Sequence, residues 1–338
     1  MIKKNIAAVF AAIISIICLY SCSSNEPFIG VTIYSSDDVF ANYIKVNLDK
    51  AYSGKVKYII SDSKNSQITQ NGQIDQYISK GAKVLVINLV DTYAADTIID
   101  KVKEQNIPII FYNKAPAKSS MDSYKKVWYV GTYSEEAANM QGKIVVNSWN
   151  ANPSWDKNGD GKIQCVILQG EPGHYDTEIR TKNVISFIEN SGLEVEVLYQ
   201  KTAMWDKERA KMIVDEWMSD NSNSNLEYII ANNDSMALGA LNSIQSIGYN
   251  TGDSNKYIPI VGIDAINEVV DEIANGNIVG TVLNDSFSQA KAVADLSLSL
   301  FNGNVNPILG TTWTLDNNKS VRIHYKPITL ENLDEIRR

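Results

Sequence analysis

The chain has 338 residues, 44% of them hydrophobic and 21% charged, which is enough apolar material to bury one large core or two smaller ones. Its net charge of -8, with no cluster of Lys and Arg, argues against nucleic acid or an anionic lipid surface as a partner. Lys3 and Lys4 precede an apolar run over residues 6–20 that ends in Leu19-Tyr20-Ser21-Cys22. That run is short for a membrane span and has the layout of a secretory leader. Residues 1–21 are expected to be that leader. Cys22 is expected to be acylated and to become the first residue of the mature chain, with residues 23–26 as a polar tether. Cys18 would leave with the leader, so Cys165, inside an apolar run, remains as a buried thiol with no internal disulfide partner.

Beyond the tether, strand and helix patterns alternate. Residues 28–34 (FIGVTIY) form an apolar, β-branched strand, and a helix is expected over about 39–52. Strands follow at 55–61, 84–88 and 109–112, with helices at 67–80 and about 93–105 between them. A second series places strands at 163–169, 194–199, 228–231 and 258–262, with helices at 177–190, 207–217 and 235–247. This alternation predicts βαβ units and parallel sheets. The strands are continuously apolar, as expected for sheets covered on both faces. The fold class is therefore α/β, with two lobes of similar size, and ligands of such sheets sit beyond the carboxyl ends of the strands.

Polar residues collect at those ends. Ser35-Ser36-Asp37-Asp38 follows the first strand, and Asn113 follows FY. Gly170-Glu171-Pro172-Gly173-His174 follows VILQ, Asn232-Asn233-Asp234 follows YIIA, Asp264 follows VGI, and Asn284-Asp285 follows GTVL. One such group is an ordinary turn or helix cap. Six of them point to a shared polar pocket. Asp176 and Arg180 are four residues apart, on one helix face, where they can pair and still offer donors and acceptors to hydroxyls, with His174 as a further donor. Phe40 and Trp205 add flat apolar faces of the kind a pyranose ring needs.

A separate stretch, Asp156-Lys157-Asn158-Gly159-Asp160-Gly161-Lys162-Ile163-Gln164, reads as a calcium loop. Oxygen side chains stand at positions 1, 3, 5 and 9, and Gly161 at position 6 allows the sharp turn. Position 12 is Ile167, where an EF-hand has a bidentate Glu, and the following residues are strand-like. An EF-hand sensor is therefore excluded, and a carboxylate must come from elsewhere in the chain.

These residues, with the segments QIDQYISKGAKVLVINLVD, GEPGHYD, TAMWD and IIANNDSMALGA, closely resemble the periplasmic glucose/galactose-binding proteins of bacterial sugar transport, across nearly the whole mature chain. The resemblance implies a type I periplasmic binding protein fold: two Rossmann-like lobes joined by a three-crossover hinge. Residues 22–131 and 286–318 would form the N-terminal lobe, and residues 132–285 and 319–338 the C-terminal lobe. It implies Asp38, Asn113, His174, Asp176, Arg180, Asn233, Asp264 and Asn284 as sugar contacts, with Phe40 and Trp205 sandwiching the ring. Asp38 would accept from the 4-hydroxyl of either epimer. Structural Ca2+ would be held by Asp156, Asn158, Asp160, the Lys162 carbonyl, Gln164 and Glu227. The expected ligand is D-glucose or D-galactose. The expected partners are an ABC permease and a chemoreceptor, and the expected form is a lipid-anchored monomer in the periplasm or at the cell surface, without catalysis.

The chain departs from the family pattern at Tyr175, where Pro is usual, at Ser36, where a larger side chain is common, and in its lipobox. A glycoside-processing enzyme is the first rival reading, but an Asp paired with Arg180 suits an acceptor better than a general acid. A sugar-responsive transcription regulator would carry an N-terminal helix-turn-helix in place of an export signal. A lipoprotein presenting sugar to a sensor kinase is a third reading.

Overall fold

In the computed structural model, residues 26–220 and 225–336 are described. The expected leader and the acylation site Cys22 lie outside them. The first lobe is built on a six-stranded, wholly parallel sheet in the order β11-β5-β4-β3-β1-β2. Its strands are β1 (Phe28–Ile33), β2 (Tyr58–Asp62), β3 (Ala82–Ile87), β4 (Ile109–Tyr112), β5 (Val127–Gly131) and β11 (Ser320–Arg322). The second sheet has the order β12-β10-β9-β8-β6-β7. It comprises β6 (Lys162–Gln169), β7 (Glu194–Thr202), β8 (Tyr228–Ala231), β9 (Ile260–Val261), β10 (Gly280–Leu283) and β12 (Lys326–Thr329). Only β12 runs antiparallel to its neighbour.

Helices cover both faces of each sheet, and alternate residues of one strand feed opposite cores. In β3, Val84 and Val86 pack with α1 (Val39–Tyr52) and α10 (Ser286–Phe301). Leu85 and Ile87 pack with α2 (Gln67–Ser79) and α3 (Ala95–Glu104). In β6, Val166 and Leu168 face α7 (Lys207–Ser219), α8 (Asp234–Ser246) and α9 (Asn267–Ala274). Ile163, Cys165 and Ile167 face α5 (Ser134–Ala151) and α6 (Tyr175–Asn190). Cys165 is fully buried, and burial pushes its thiol up to about 12, so it is inert. A short helix α4 (Lys118–Asp122) precedes β5.

The elements differ from expectation at a few ends. The second strand starts at Tyr58, not residue 55, because the C-terminal turn of α1 holds residues 53–56 through Ser53, Lys55 and Val56 amides. The helix expected over 93–105 divides into a 3-10 turn, Thr92–Ala94, capped by Asp91, and α3. One lobe boundary must be corrected. Residues 319–338 are all expected in the second lobe, but Ser320, Val321 and Arg322 pair in register with Tyr129, Val130 and Gly131 of β5. Val321 and Ile323 are buried in the first lobe's core. The last crossover therefore lies between Arg322 and Lys326. The other crossovers lie between β5 and α5 and between β10 and α10.

Candidate sugar-binding site

All ten residues expected to contact a sugar line one cavity between the lobes. It encloses about 390 Å³ of atom-free space, its mouth included. Each residue lies beyond the carboxyl end of a parallel strand, in the loop that follows or, for Phe40, Asp176 and Arg180, in the first two turns of the next helix. Asp38 is the N-cap of α1, and its carboxylate accepts the Ala41 amide at 2.6 Å. His174 caps α6, its Nδ1 accepting the Asp176 amide at 3.2 Å. Asn233 caps α8, accepting the Met236 amide at 3.0 Å. The backbone hydrogen bonds that hold these helices thus fix three of the polar side chains in the cavity.

Three other residues of the set have a backbone in the left-handed region: Asn113 (φ 61), Trp205 (φ 65) and Asp264 (φ 130). Non-glycine residues hold such angles only where their surroundings enforce them. Trp205 illustrates how. Its main-chain carbonyl accepts from Asn233 Nδ2 at 3.3 Å, and its ring meets the edge of His174 at 5.5 Å between centroids. The ring also lies so close to Gly170 that a Cβ there would come within 2.1 Å of it.

Arg180 is 4% exposed. Its Nη1 donates to the Asn232 carbonyl at 2.8 Å, and Nη2 reaches Asp176 Oδ2 at 3.4 Å and the Tyr325 hydroxyl at 3.0 Å. Nε is buried without a protein partner, so the guanidinium retains a donor for another occupant. Asp176 also accepts a short hydrogen bond from Ser134. Burial alone would raise the Asp176 pKa, but Arg180, His174 and Ser134 together bring it below the usual carboxylate range. It is therefore an acceptor at neutral pH. Burial raises Asp38 and, more strongly, Asp264, while Ala41 and Arg180 respectively pull the other way. Asn284 stands in the second crossover, donating to Asp264 Oδ1 at 3.1 Å and accepting from Gln289 at 2.6 Å.

Two further residues line the cavity, Tyr34 and Lys114. Both stand at strand ends, next to Ser35 and Asn113, so the rule that singled out the others reaches them too. Lys114 Nζ lies 4.3 Å from the centroid of the Tyr34 ring and donates to the Val90 carbonyl. The cavity as a whole offers amides, carboxylates and one guanidinium around the faces of Trp205 and Phe40.

The chain matches the model of the periplasmic binding protein domain over residues 29–304. It belongs to the periplasmic binding protein family. Members of this family bind solutes and do not transform them. The chain is 44% identical to the D-galactose/methyl-galactoside binding periplasmic protein MglB of Haemophilus influenzae over 333 residues, covering 97% of this chain and 98% of that one. It is 26% identical to a xylitol-binding protein of Mycolicibacterium smegmatis, covering 81% and 73%. Among solved structures, an ABC transporter solute binding protein of Bacillus halodurans with bound myo-inositol superposes with a TM-score of 0.76 at 25% identity, covering 94% and 99%.

The candidate calcium residues form a second group, at the opposite end of the second lobe's strands. Asp156 accepts the Gly159 and Gly161 amides at 2.7 and 2.9 Å, and Asp160 accepts the Lys162 amide at 2.9 Å. Glu227, fully buried, accepts the Lys157 amide at 2.6 Å and the Gln164 amide at 3.2 Å, which brings this remote carboxylate to the loop. Burial raises its pKa above the usual range. Among the described residues no three His, Cys, Asp or Glu side chains gather to form a metal cluster unaided. The donors here include amides and a main-chain carbonyl, and Gln164 Oε1 is buried with no hydrogen-bond partner. An all-oxygen set with one orphaned oxygen fits a hard cation such as calcium.

Proposed function

We propose that this chain binds D-galactose or D-glucose between its lobes and delivers it to an ABC permease. The observation that carries the reading is that one cavity brings the faces of Phe40 and Trp205 together with polar side chains drawn from both lobes and a crossover. A pyranose has apolar C–H faces and a rim of hydroxyls, so it matches that distribution. The 44% identity to a galactose/methyl-galactoside binding protein supports the choice of hexose.

Binding would favour closure. Asp38, Phe40 and Asn113 come from the first lobe, and His174, Asp176, Arg180, Trp205, Asn233 and Asp264 from the second. A sugar satisfies both sets at once only when the lobes meet, so it shifts the population toward the closed form. The closed form is what a permease, or a chemoreceptor, would recognise. Asp156, Asn158, Asp160, Gln164, Glu227 and the Lys162 carbonyl would hold calcium. The ion would fasten the start of β6 to β8, remote from the sugar. Acylation of Cys22 would hold the protein at a membrane surface.

The test is calorimetric titration with glucose, galactose, ribose and maltose, in parallel with Trp205→Ala and Asp38→Ala. Saturable one-to-one binding of glucose or galactose, lost in both variants, is expected. A folded protein that binds neither hexose would refute the assignment.

A further inference from the structure

The sugar-site guanidinium is fastened to the hinge. Arg180 Nη2 donates to the Tyr325 hydroxyl at 3.0 Å, and Thr132 Oγ1 donates to the same oxygen at 2.9 Å. Tyr325 sits in the last crossover, between β11 of the first sheet and β12 of the second, and is 4% exposed. Thr132 sits in the first crossover, directly after β5. The two crossovers are tied a second time by Arg322, whose Nη1 donates to the Thr132 carbonyl at 2.9 Å. The neighbouring Tyr325 amide donates to Glu136 at the start of α5. One phenol oxygen therefore joins a cavity-lining side chain of the second lobe to two of the three chain segments about which the lobes must turn.

We propose that Tyr325 is a positioning residue: through it and Thr132 the hinge sets the direction of the Arg180 guanidinium, so that sugar affinity depends on lobe angle. Nothing assigned to the cavity includes either residue, and neither lines it. A planar guanidinium binds with direction, and its useful donors are fixed once two of its nitrogens are held. Here Nη1 is held by the Asn232 carbonyl within the second lobe, while Nη2 is shared between Asp176 Oδ2 at 3.4 Å in the same lobe and, more closely, the hinge phenol at 3.0 Å. With the plane of the guanidinium so fixed, the direction of the unpartnered Nε of this cavity-lining residue is fixed as well. Rotation of the crossovers that moves the Tyr325 oxygen away from Nη2 releases the fork. In the other direction, a sugar that engages Arg180 favours the hinge geometry in which the phenol is in place. The inference rests on the reading that the cavity takes a sugar.

The variants are Tyr325→Phe, which keeps the ring and removes the oxygen, and Thr132→Val, which keeps the shape and removes the donor. Galactose and glucose affinities are measured by calorimetry, fold stability by thermal melting, and lobe separation by small-angle scattering with and without sugar. Tyr325→Phe is expected to weaken binding about tenfold, as for loss of a hydrogen bond to a charged group. Thr132→Val is expected to weaken it about threefold, and the double variant to be no weaker than Tyr325→Phe, because Thr132 acts through the phenol. Tyr325→Phe should also leave the ligand-free protein with a larger radius of gyration at an unchanged melting temperature. Unchanged affinity, strictly additive losses, or a loss that follows a lowered melting temperature would overturn the proposal. Should the wild-type protein bind neither hexose, the functional assignment fails by itself. The ligand-free scattering still decides the hinge role, and an unchanged radius in Tyr325→Phe refutes it.

Discussion

Lys114 Nζ lies 3.0 Å from Glu171 Oε2, joining the loop after β4 in the first lobe to the loop after β6 in the second. The lysine is buried and the glutamate 31% exposed, so the pair bridges the cleft at its edge. It reinforces the packing of Val39 and Tyr43 of α1 on the second lobe's core. Partly exposed pairs of this kind contribute modestly. Glu171→Gln is expected to lower sugar affinity about two- to fivefold and to leave the melting temperature within a few degrees, with a shrinking effect at high salt. Calorimetry at two salt concentrations checks it, and an affinity equal to wild type at low salt would show that the pair does not favour closure.

Gly170 should be intolerant of any side chain. Its backbone lies against the Trp205 ring, and an alanine Cβ would fall 2.1 Å from that ring. Trp205 is partly buried at the edge of the second lobe's core, so the ring must shift from that edge. Gly170→Ala is therefore expected to cut sugar affinity at least about tenfold while costing about 1–2 kcal/mol of stability. Tryptophan fluorescence in the titration reads the first effect and denaturant unfolding the second.

Asp234 predicts how stability varies with pH. It is fully buried at the start of α8, accepting from Thr281 Oγ1 at 2.6 Å and the Ile266 amide at 2.9 Å. Burial pushes its pKa from 3.8 up to about 7. The folded state thus holds a proton that the unfolded chain releases near pH 4. The associated stability is full below pH 4 and is lost as pH rises toward 7, by roughly 2–4 kcal/mol in all. Asp264, also raised by burial, acts in the same direction. Asp234→Asn can keep both hydrogen bonds, with its amide donating to Thr281. The loss of melting temperature between pH 5 and pH 8 should be clearly smaller in this variant than in wild type.

Calcium is expected to raise the melting temperature by several degrees, and a chelator to reverse the gain, as for any ligand of the native state alone. Glu227→Gln should abolish the response while leaving sugar affinity nearly unchanged, since this group lies at the far end of the lobe from the cavity. A calcium response surviving in Glu227→Gln would remove this residue from the ligand set.

The cavity was legible in the sequence because most of its residues obey a positional rule: they stand just beyond apolar strands, and the strands of a parallel sheet end together. The aromatic Trp205 was legible because it stands among polar residues. Lys114, next to Asn113, obeys the same rule, but a lysine at a strand end carries no signal of burial in the sequence. Thr132 follows β5 and so meets the positional rule, but nothing in the sequence links it to Tyr325 or Arg180. Their roles arise from crossovers more than 190 residues apart in the chain meeting in space. The helix α5 was obscured by Gly142, which lowers helix propensity but lets Phe187 of α6 pack against the backbone, 2.8 Å from where a Cβ would lie. Strands β11 and β12, three and four residues long, are too short for any periodicity to show, which is why the last boundary was misplaced.

The interleaved connectivity also dictates an order of assembly. The first sheet acquires β11, and the α1 face its covering helix α10, only after the whole of β6 to β10 has been made. A ribosome that has delivered residues 26–131 has produced five of the six strands of a sheet, with one face covered by α1 alone. The second lobe, contiguous from α5 to β10, can collapse while the first is still waiting. The lobe that begins the chain must wait for residues 320–322 to complete its sheet, and a chain cut anywhere before residue 322 leaves it with an open edge beside β5.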